Sequence, residues 1–179
     1  MVKRLALATP AAARERAPSP APPTLAVLVA LGAVATVAAA WAVEWSGYIP
    51  CELCLAERTP YYVGVPLALL VAGAAGRGWR RVTGLGFVVL SLVFLVGAGL
   101  GAYHAGVEWS LWPGPTGCSG PLPQATSVTD FMAALKSQRP VRCDAPALTV
   151  LGLSLAAWNA VVSLGLAGIA ALGAVRAAR

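Results

Sequence analysis

Four long apolar runs constrain the fold of this chain more than any other feature of its sequence. A helix needs about 20 mainly apolar residues to cross the hydrocarbon core of a bilayer. The second run is the shortest and contains Pro66, so we expect its helix to begin earlier, near Leu55. The first run is longer than the apolar region of a cleaved signal sequence, which is about 7–15 residues, and we expect it to be retained. The sequence therefore predicts four membrane-spanning helices, at about 25–43, 59–75, 82–103 and 151–175.

The composition agrees with a membrane protein and excludes several other classes. Apolar residues make up 58% of the 179 residues and charged residues 11%, whereas soluble domains contain about 45–50% and about 25%. The chain has no G-X-Y period, and its four cysteines are too few for a disulfide scaffold. We expect an all-α integral membrane protein whose four-helix bundle covers 25–175, with tails at 1–24 and 176–179.

The charges are divided between the two sides of the predicted bundle. The formal net charge of +6 is by itself also typical of nucleic-acid-binding proteins. Nine of the 13 lysines and arginines, however, lie before the first run, after the last, or between the second and third: Lys3, Arg4, Arg14, Arg16, Arg77, Arg80, Arg81, Arg176 and Arg179. The positive-inside rule places these segments and both termini in the cytoplasm, and we expect no nucleic-acid partner. The loops at about 44–58 and 104–150 then face outward.

All four cysteines fall in the two outward loops. Cys51 and Cys54 lie in the first loop, and Cys118 and Cys143 lie in the second. An even number of cysteines outside the cytoplasm favours disulfide chemistry. A zinc site would be expected to have a second close pair or a neighbouring histidine. A membrane scaffold with two structural disulfides is the other alternative, although a C-x-x-C ring is too small to remove much unfolded-state entropy.

Two charged residues follow the C-x-x-C pair. Arg58 lies four residues after Cys54, which is one helical turn if the second helix begins early. Its guanidinium can favour the thiolate of Cys54, and the thiolate is the reactive form in disulfide exchange. Glu57 would partly oppose this field, and we predict that its side chain is a solvated or headgroup-facing charge.

Three segments together resemble a known family. They are the string CELCLAER at 51–58, the pair Tyr103–His104 that closes the third run, and the string WPGPTGC at 112–118. In this order, within four spans, they are similar to the disulfide bond formation protein B (DsbB) family. The resemblance covers the four spans and both loops and leaves out only the Pro-rich N-terminal tail. It implies a bacterial inner-membrane oxidoreductase of periplasmic protein folding, which reoxidises a thioredoxin-like thiol oxidase of the DsbA type.

The resemblance also implies a role for each cysteine. Cys51 and Cys54 would be the pair that delivers electrons to a membrane quinone, ubiquinone or menaquinone. A reduced partner would attack Cys118, Cys143 would then exchange with Cys51, and Cys54 would donate to the quinone. Arg58 matches the arginine that the family places near the quinone head. A vitamin K epoxide reductase-like enzyme is an alternative, but there the C-x-x-C pair follows the loop pair.

His104 is the only histidine of the chain and ends the third run. Imidazole titrates in the range that is useful for the protons that accompany quinone reduction, so His104 is our second predicted quinone-side contact; a merely interfacial histidine is the alternative. Several aromatic residues fall near the same boundary and predict an interfacial belt, with one or two on the quinone ring: Trp41, Trp45, Tyr48, Tyr61, Tyr62, Tyr103, Trp109 and Trp112.

The second outward loop contains a short amphipathic pattern. Its apolar residues follow a spacing of i, i+3, i+4 and i+7, at Val128, Phe131, Met132 and Leu135. Thr126, Ser127 or Thr129 can cap a helix that begins there. The pattern predicts a short helix that lies parallel to the membrane surface.

Overall fold

The computed structural model describes residues 21–115, 127–137, 139–140 and 142–179. Within these residues, four helices are long and apolar enough to cross a membrane, which confirms the predicted all-α fold of four spans. A short helix and four two-residue strands lie in the connections. The elements in chain order are α1 Pro22–Trp45, β1 Tyr48–Ile49, α2 Glu52–Gly76, α3 Arg80–Glu108, α4 Val128–Ser137, β2 Arg139–Pro140, β3 Thr149–Val150, β4 Leu153–Ser154 and α5 Leu155–Ala178.

Capping interactions move two helix ends away from the predicted spans. Helix α2 begins at Glu52, well before the apolar run at 59–75, because the sulfur of Cys51 accepts a hydrogen bond from the backbone N–H of Cys54 at 3.2 Å. Helix α5 begins at Leu155 rather than near 151, because β3 and β4 form an antiparallel hairpin directly before it. The Oγ of Ser154 then accepts a hydrogen bond from the third helical residue, Ala157, at 3.2 Å.

The four long helices form a four-sided bundle. Helix α2 packs between α1 and α3, and α5 packs between α3 and α1. The largest fully buried side chains at its centre include Tyr61, Phe87, Leu90 and Phe94. The outward faces carry many exposed leucines and valines, as is typical of helices that are apolar all round and are surrounded by lipid.

Helices α3 and α5 approach most closely at Gly101. A Cβ atom at this position would lie 2.6 Å from the backbone nitrogen of Ala160 and 3.0 Å from the carbonyl oxygen of Ala156. Real Cβ atoms do not approach backbone so closely, so only glycine permits this contact. Small residues that allow backbones to meet are a common feature of helix packing in membranes.

The second outward loop contains the predicted short helix. Helix α4 spans Val128–Ser137, and the Oγ of Ser127 accepts a hydrogen bond from the backbone N–H of Asp130 at 3.1 Å. Strand β2 follows it and pairs in parallel with β1, with Tyr48 opposite Arg139. This pairing ties the second loop to the first. The orientation of α4 relative to a bilayer stays a prediction.

We predict that Gly101→Ala destabilises the bundle by about 1–3 kcal/mol, which is typical of overpacking in a close-packed interior. The free energy of unfolding in mixed micelles measures this change. Gly99→Ala is the matched control on the same helix, because a Cβ atom there meets no neighbour within 4 Å. Equal unfolding free energies for the two variants would contradict the close contact of α3 with α5.

Candidate active site

The C-x-x-C pair lies at the N-terminus of α2. Cys51 is the N-cap residue and Cys54 is one turn further, so both side chains lie on one face of the helix. The two sulfurs are 2.8 Å apart and are not joined by a disulfide. Cys51 is fully buried and Cys54 is half-buried. A helix N-terminus favours negative charge, so this position suits a thiolate.

A buried histidine and a buried glutamate lie beside Cys51. The Nε2 of His104 is 3.9 Å from the sulfur of Cys51. The Nδ1 of His104 is 2.7 Å from the Oε1 of Glu57. Because a carboxylate only accepts hydrogen bonds, Nδ1–H donates to Glu57, and Nε2 is left facing the sulfur. The arrangement of carboxylate, imidazole and thiol allows a proton to move between the sulfur and the ring.

The surroundings of Cys51 stabilise its thiolate. The hydrogen bond from the Cys54 side chain lowers the pKa of Cys51 most, and burial raises it. The hydrogen bond and the charge of His104 lower this pKa further. Together they lower the pKa of Cys51 to about 4. The lowered pKa favours the thiolate of Cys51 at neutral pH. A low thiol pKa is the condition for fast exchange and for a good leaving group.

The environment of Glu57 differs from the one that the sequence predicted. The sequence suggested a solvated charge, whereas the structure leaves only 8% of this residue exposed, which makes the prediction wrong. The reason is the early start of α2, which places Glu57 on the turn that faces His104 of α3. Tyr61, one turn further, is likewise not interfacial, because it is 2% exposed and lies in the bundle core.

Arg58 lies one turn after Cys54, as the spacing predicted. Its NH1 group donates to the Oε2 of Glu44 on α1 at 2.7 Å, and its side chain is 12% exposed. The arginine is thus held inside the bundle by an ion pair instead of extending into the headgroup region. The pairing joins α1 to α2 and fixes the guanidinium on the side of the helix that carries Cys54.

A cavity of about 450 Å³ opens next to the cysteine pair. All four long helices contribute to its wall. The residues with polar side chains or sulfur include Cys54, Glu57, Arg58, His104, Glu108 and Asn159. The remaining wall is mainly apolar, with side chains such as Val37, Leu155 and Val162. A mainly apolar cavity of this size with a few polar groups is typical of small-molecule sites.

Cys143 approaches Cys51 from the second loop. Its sulfur lies within 4.8 Å of the sulfur of Cys51 and of a ring nitrogen of His104. Cys143 is buried, disulfide-bonded, and packed with Cys51 and Val107 in one cluster. Of the six predicted site residues, five are therefore brought together. The sixth, Cys118, lies outside the described residues.

The same three residues are close enough to be considered as a metal site. Cys51, His104 and Cys143 each offer one ligand atom. Metal ions bind the thiolate form of cysteine, but the sulfur of Cys143 is already in a disulfide. With Cys143 in a disulfide, only two of the three side chains can bind a metal ion. The chemistry of the three residues therefore favours thiol–disulfide exchange.

Sequence reasoning did not assign Glu57, Glu108 or Asn159 to the cavity. Glu57 lies three residues after Cys54, and Glu108 lies four residues after His104, so helical spacing could have placed both beside the site. Asn159 is a lone amide within the fourth apolar run. Polar residues within membrane helices are costly and commonly functional, and this signal could have identified it.

The site has a C-x-x-C pair beside a buried imidazole and carboxylate, at one end of four membrane-length helices. This combination is typical of membrane-embedded thiol–disulfide oxidoreductases. The chain belongs to the DsbB family, because the family described as Disulfide bond formation protein DsbB matches residues 22–173. This confirms the predicted family and implies a membrane oxidoreductase that forms disulfide bonds.

A curated relative also covers most of the chain. It is Uncharacterized protein RP370 of Rickettsia prowazekii (strain Madrid E), which is 26% identical over 140 residues. The matched region covers 77% of this chain and 78% of that protein. No solved structure matches the chain.

We predict that His104→Phe raises the pKa of Cys51 by about one to two pH units. A hydrogen bond to a charged group contributes about 1.5–3 kcal/mol, and one pKa unit corresponds to about 1.4 kcal/mol. The ultraviolet absorbance of the thiolate, followed against pH in the reduced protein and referenced to Cys51→Ser, measures the pKa. Tyr103→Phe, at the neighbouring position, is the control and should leave the titration unchanged. An unchanged midpoint in His104→Phe would contradict the role of the imidazole.

Proposed function

We propose that this protein oxidises the dithiol of a soluble thioredoxin-like thiol oxidase of the DsbA type and passes the electrons to ubiquinone or menaquinone. One observation supports this most. Cys51 is buried with the sulfur of Cys143 on one side and the sulfur of Cys54 on the other, and Cys54 alone of the three lines the cavity. Electrons that arrive from the second loop thus have one continuous path to the cavity.

The arrangement of charges supports the proposed orientation. Arg77 and Arg80 lie at the turn between α2 and α3, at the opposite end of α2 from Cys51. Helix α2 has 25 residues, so it is about 37 Å long at 1.5 Å per residue, enough to separate the two sides of a bilayer. With the arginine turn and both termini in the cytoplasm, the cysteines face the periplasm from the inner membrane.

The first half of the proposed cycle takes place at the loop cysteines. A thiolate of the reduced partner attacks Cys118 in a disulfide with Cys143, and Cys143 leaves as a thiolate. The second thiolate of the partner then breaks the mixed disulfide, and the partner departs oxidised. The disulfide of Cys143 supports this step; its pairing with Cys118, which lies outside the described residues, is part of the proposal.

The second half transfers the electrons to the C-x-x-C pair. The thiolate of Cys143 attacks Cys51 in a disulfide with Cys54, and Cys54 leaves with the electron pair. The distance of less than 4.8 Å between the sulfurs of Cys143 and Cys51 means that little movement is needed. Cys118 then restores the loop disulfide by attacking Cys143, which releases Cys51. This sequence ends with Cys51 and Cys54 reduced, the state that the structure describes.

The residues of the cavity fit a quinone head group. Its volume suits one substituted ring, its walls are mainly apolar, and both Arg58 and Cys54 line it. The Oε2 of Glu108 and the Nδ2 of Asn159 are buried, and neither has a hydrogen-bond partner among the described residues. Because an unpaired buried polar atom is costly, the cavity suits a ligand with polar groups at its edge. A bound quinone would accept two electrons and two protons and become a quinol.

The protein residues would assist this last transfer in three ways. Arg58 lines the same cavity as Cys54, and its guanidinium would donate to a quinone oxygen there. His104 accepts the proton of Cys51 through Nε2 and can return it within the site. Glu57 fixes the ring of His104 and stabilises the imidazolium while it holds the proton. Thiol oxidases of the DsbA type are strong oxidants, so an acceptor stronger than glutathione is required, as a quinone is.

We predict that Cys54→Ser abolishes quinone reduction. The purified protein is mixed with a short-chain ubiquinone and a reduced thioredoxin-like thiol oxidase, and the absorbance of the oxidised quinone is followed. Ser46→Ala, near the site but outside the cavity, is the control and should retain the parent rate. Quinone reduction that is absent from the parent protein, or unaffected by Cys54→Ser, would reject the proposed function and leave the structural-disulfide scaffold as the alternative.

A further inference from the structure

Three polar side chains form a hydrogen-bonded network, and two of them, Tyr61 and Asn159, line the cavity. The hydroxyl of Tyr61 is 2.5 Å from the Oδ1 of Asn159 and 2.8 Å from the Oγ of Ser163. Tyr61 carries a single hydroxyl hydrogen, and an amide oxygen carries none. Tyr61 therefore donates to Asn159, and Ser163 donates to Tyr61. In this arrangement the Oδ1 of Asn159, and not its Nδ2, meets Tyr61.

This orientation leaves the amide nitrogen of Asn159 unpaired. Its Nδ2 atom is buried and has no hydrogen-bond partner within the part of the chain that the structure describes. A buried donor without an acceptor costs about 1–3 kcal/mol, and native proteins retain few of them. Asn159 lines the same cavity as Cys54 and Arg58. The missing acceptor is thus expected to be supplied by the ligand of that cavity.

The chemistry of an oxidised 1,4-quinone matches this requirement. It has two carbonyl oxygens at opposite ends of one ring, and both only accept hydrogen bonds. Cys54 and Arg58 on α2 and Asn159 on α5 line the same cavity. One carbonyl can therefore meet the charged groups beside Cys54 while the other meets the amide of Asn159.

We infer that Asn159 is a positioning residue for the quinone, whose second carbonyl oxygen accepts a hydrogen bond from its Nδ2 group. This inference rests on the proposed function. Tyr61 and Ser163 hold the amide in the donating orientation, and the ring is thereby placed with its other end towards Cys54. This hydrogen bond gives the ring one defined orientation, which apolar walls alone do not provide.

Infrared spectroscopy of the bound quinone tests this contact directly. A short-chain ubiquinone, labelled with ¹³C at one or the other carbonyl carbon, is added to the oxidised full-length protein without thiol partner. A carbonyl that accepts a hydrogen bond absorbs at lower frequency. We expect Asn159→Leu to return one carbonyl band, and only one, towards the frequency of the free quinone. The affinity for the quinone should fall about three- to tenfold, as for the loss of one hydrogen bond.

Three further variants make the experiment specific. Asn159→Gln keeps an amide donor and should retain part of the lost band shift. Tyr61→Phe keeps the amide of Asn159 but removes the hydroxyl that orients it. Both carbonyl bands should therefore remain, and the band of the hydrogen-bonded carbonyl should broaden. Thr83→Val is the matched control, because the Oγ1 of Thr83 is also buried and unpaired among the described residues but lines a different cavity. It should change neither the bands nor the affinity.

The possible results separate this inference from the proposed function. A parent protein that binds no quinone would reject both. A parent protein that binds quinone, together with Asn159→Leu showing unchanged bands and affinity, would overturn the role of Asn159 and leave the proposed function intact. Helical content is checked by circular dichroism, and if Asn159→Leu does not fold, the same band comparison with Asn159→Ala decides.

Discussion

The contact between His104 and Glu57 is the interaction on which the site depends. It joins α2 to α3 inside the bundle and keeps an imidazole nitrogen next to the sulfur of Cys51. A buried charge is tolerated only when it is paired and hydrogen-bonded. Within this pair, His104 adds to the hydrogen bond from Cys54 in lowering the pKa of Cys51.

The two cysteines of the C-x-x-C pair therefore have different environments. Cys51 is enclosed with Cys143 in a protein-lined cluster, whereas Cys54 lies on the wall of the cavity together with Arg58. One sulfur packs against Cys143 of the second loop, and the other lies on the wall of a mainly apolar cavity. The symmetrical motif in the sequence does not reveal this asymmetry.

Local patterns in the sequence predicted much of this arrangement. The apolar runs predicted the four helices, and the spacing of Cys54 and Arg58 placed both on one helical turn. Hydropathy alone placed the start of α2 too late, because the polar residues of the site occupy its first two turns; the expected start near Leu55 is three residues from the observed one at Glu52. The contacts of His104 with Glu57 and of Tyr61 with Asn159 connect residues 47 and 98 positions apart. No local spacing reports such contacts, because they depend on how separate helices pack.

The parallel pairing of β1 with β2 has a consequence for the movement of the second loop. It contains only two residue pairs, Tyr48 with Arg139 and Ile49 with Pro140, and proline has no N–H to donate. Parallel pairs are also slightly less stable per residue than antiparallel ones. The contact between the two loops is therefore weak compared with the packing of the four long helices, and breaking it leaves that packing intact.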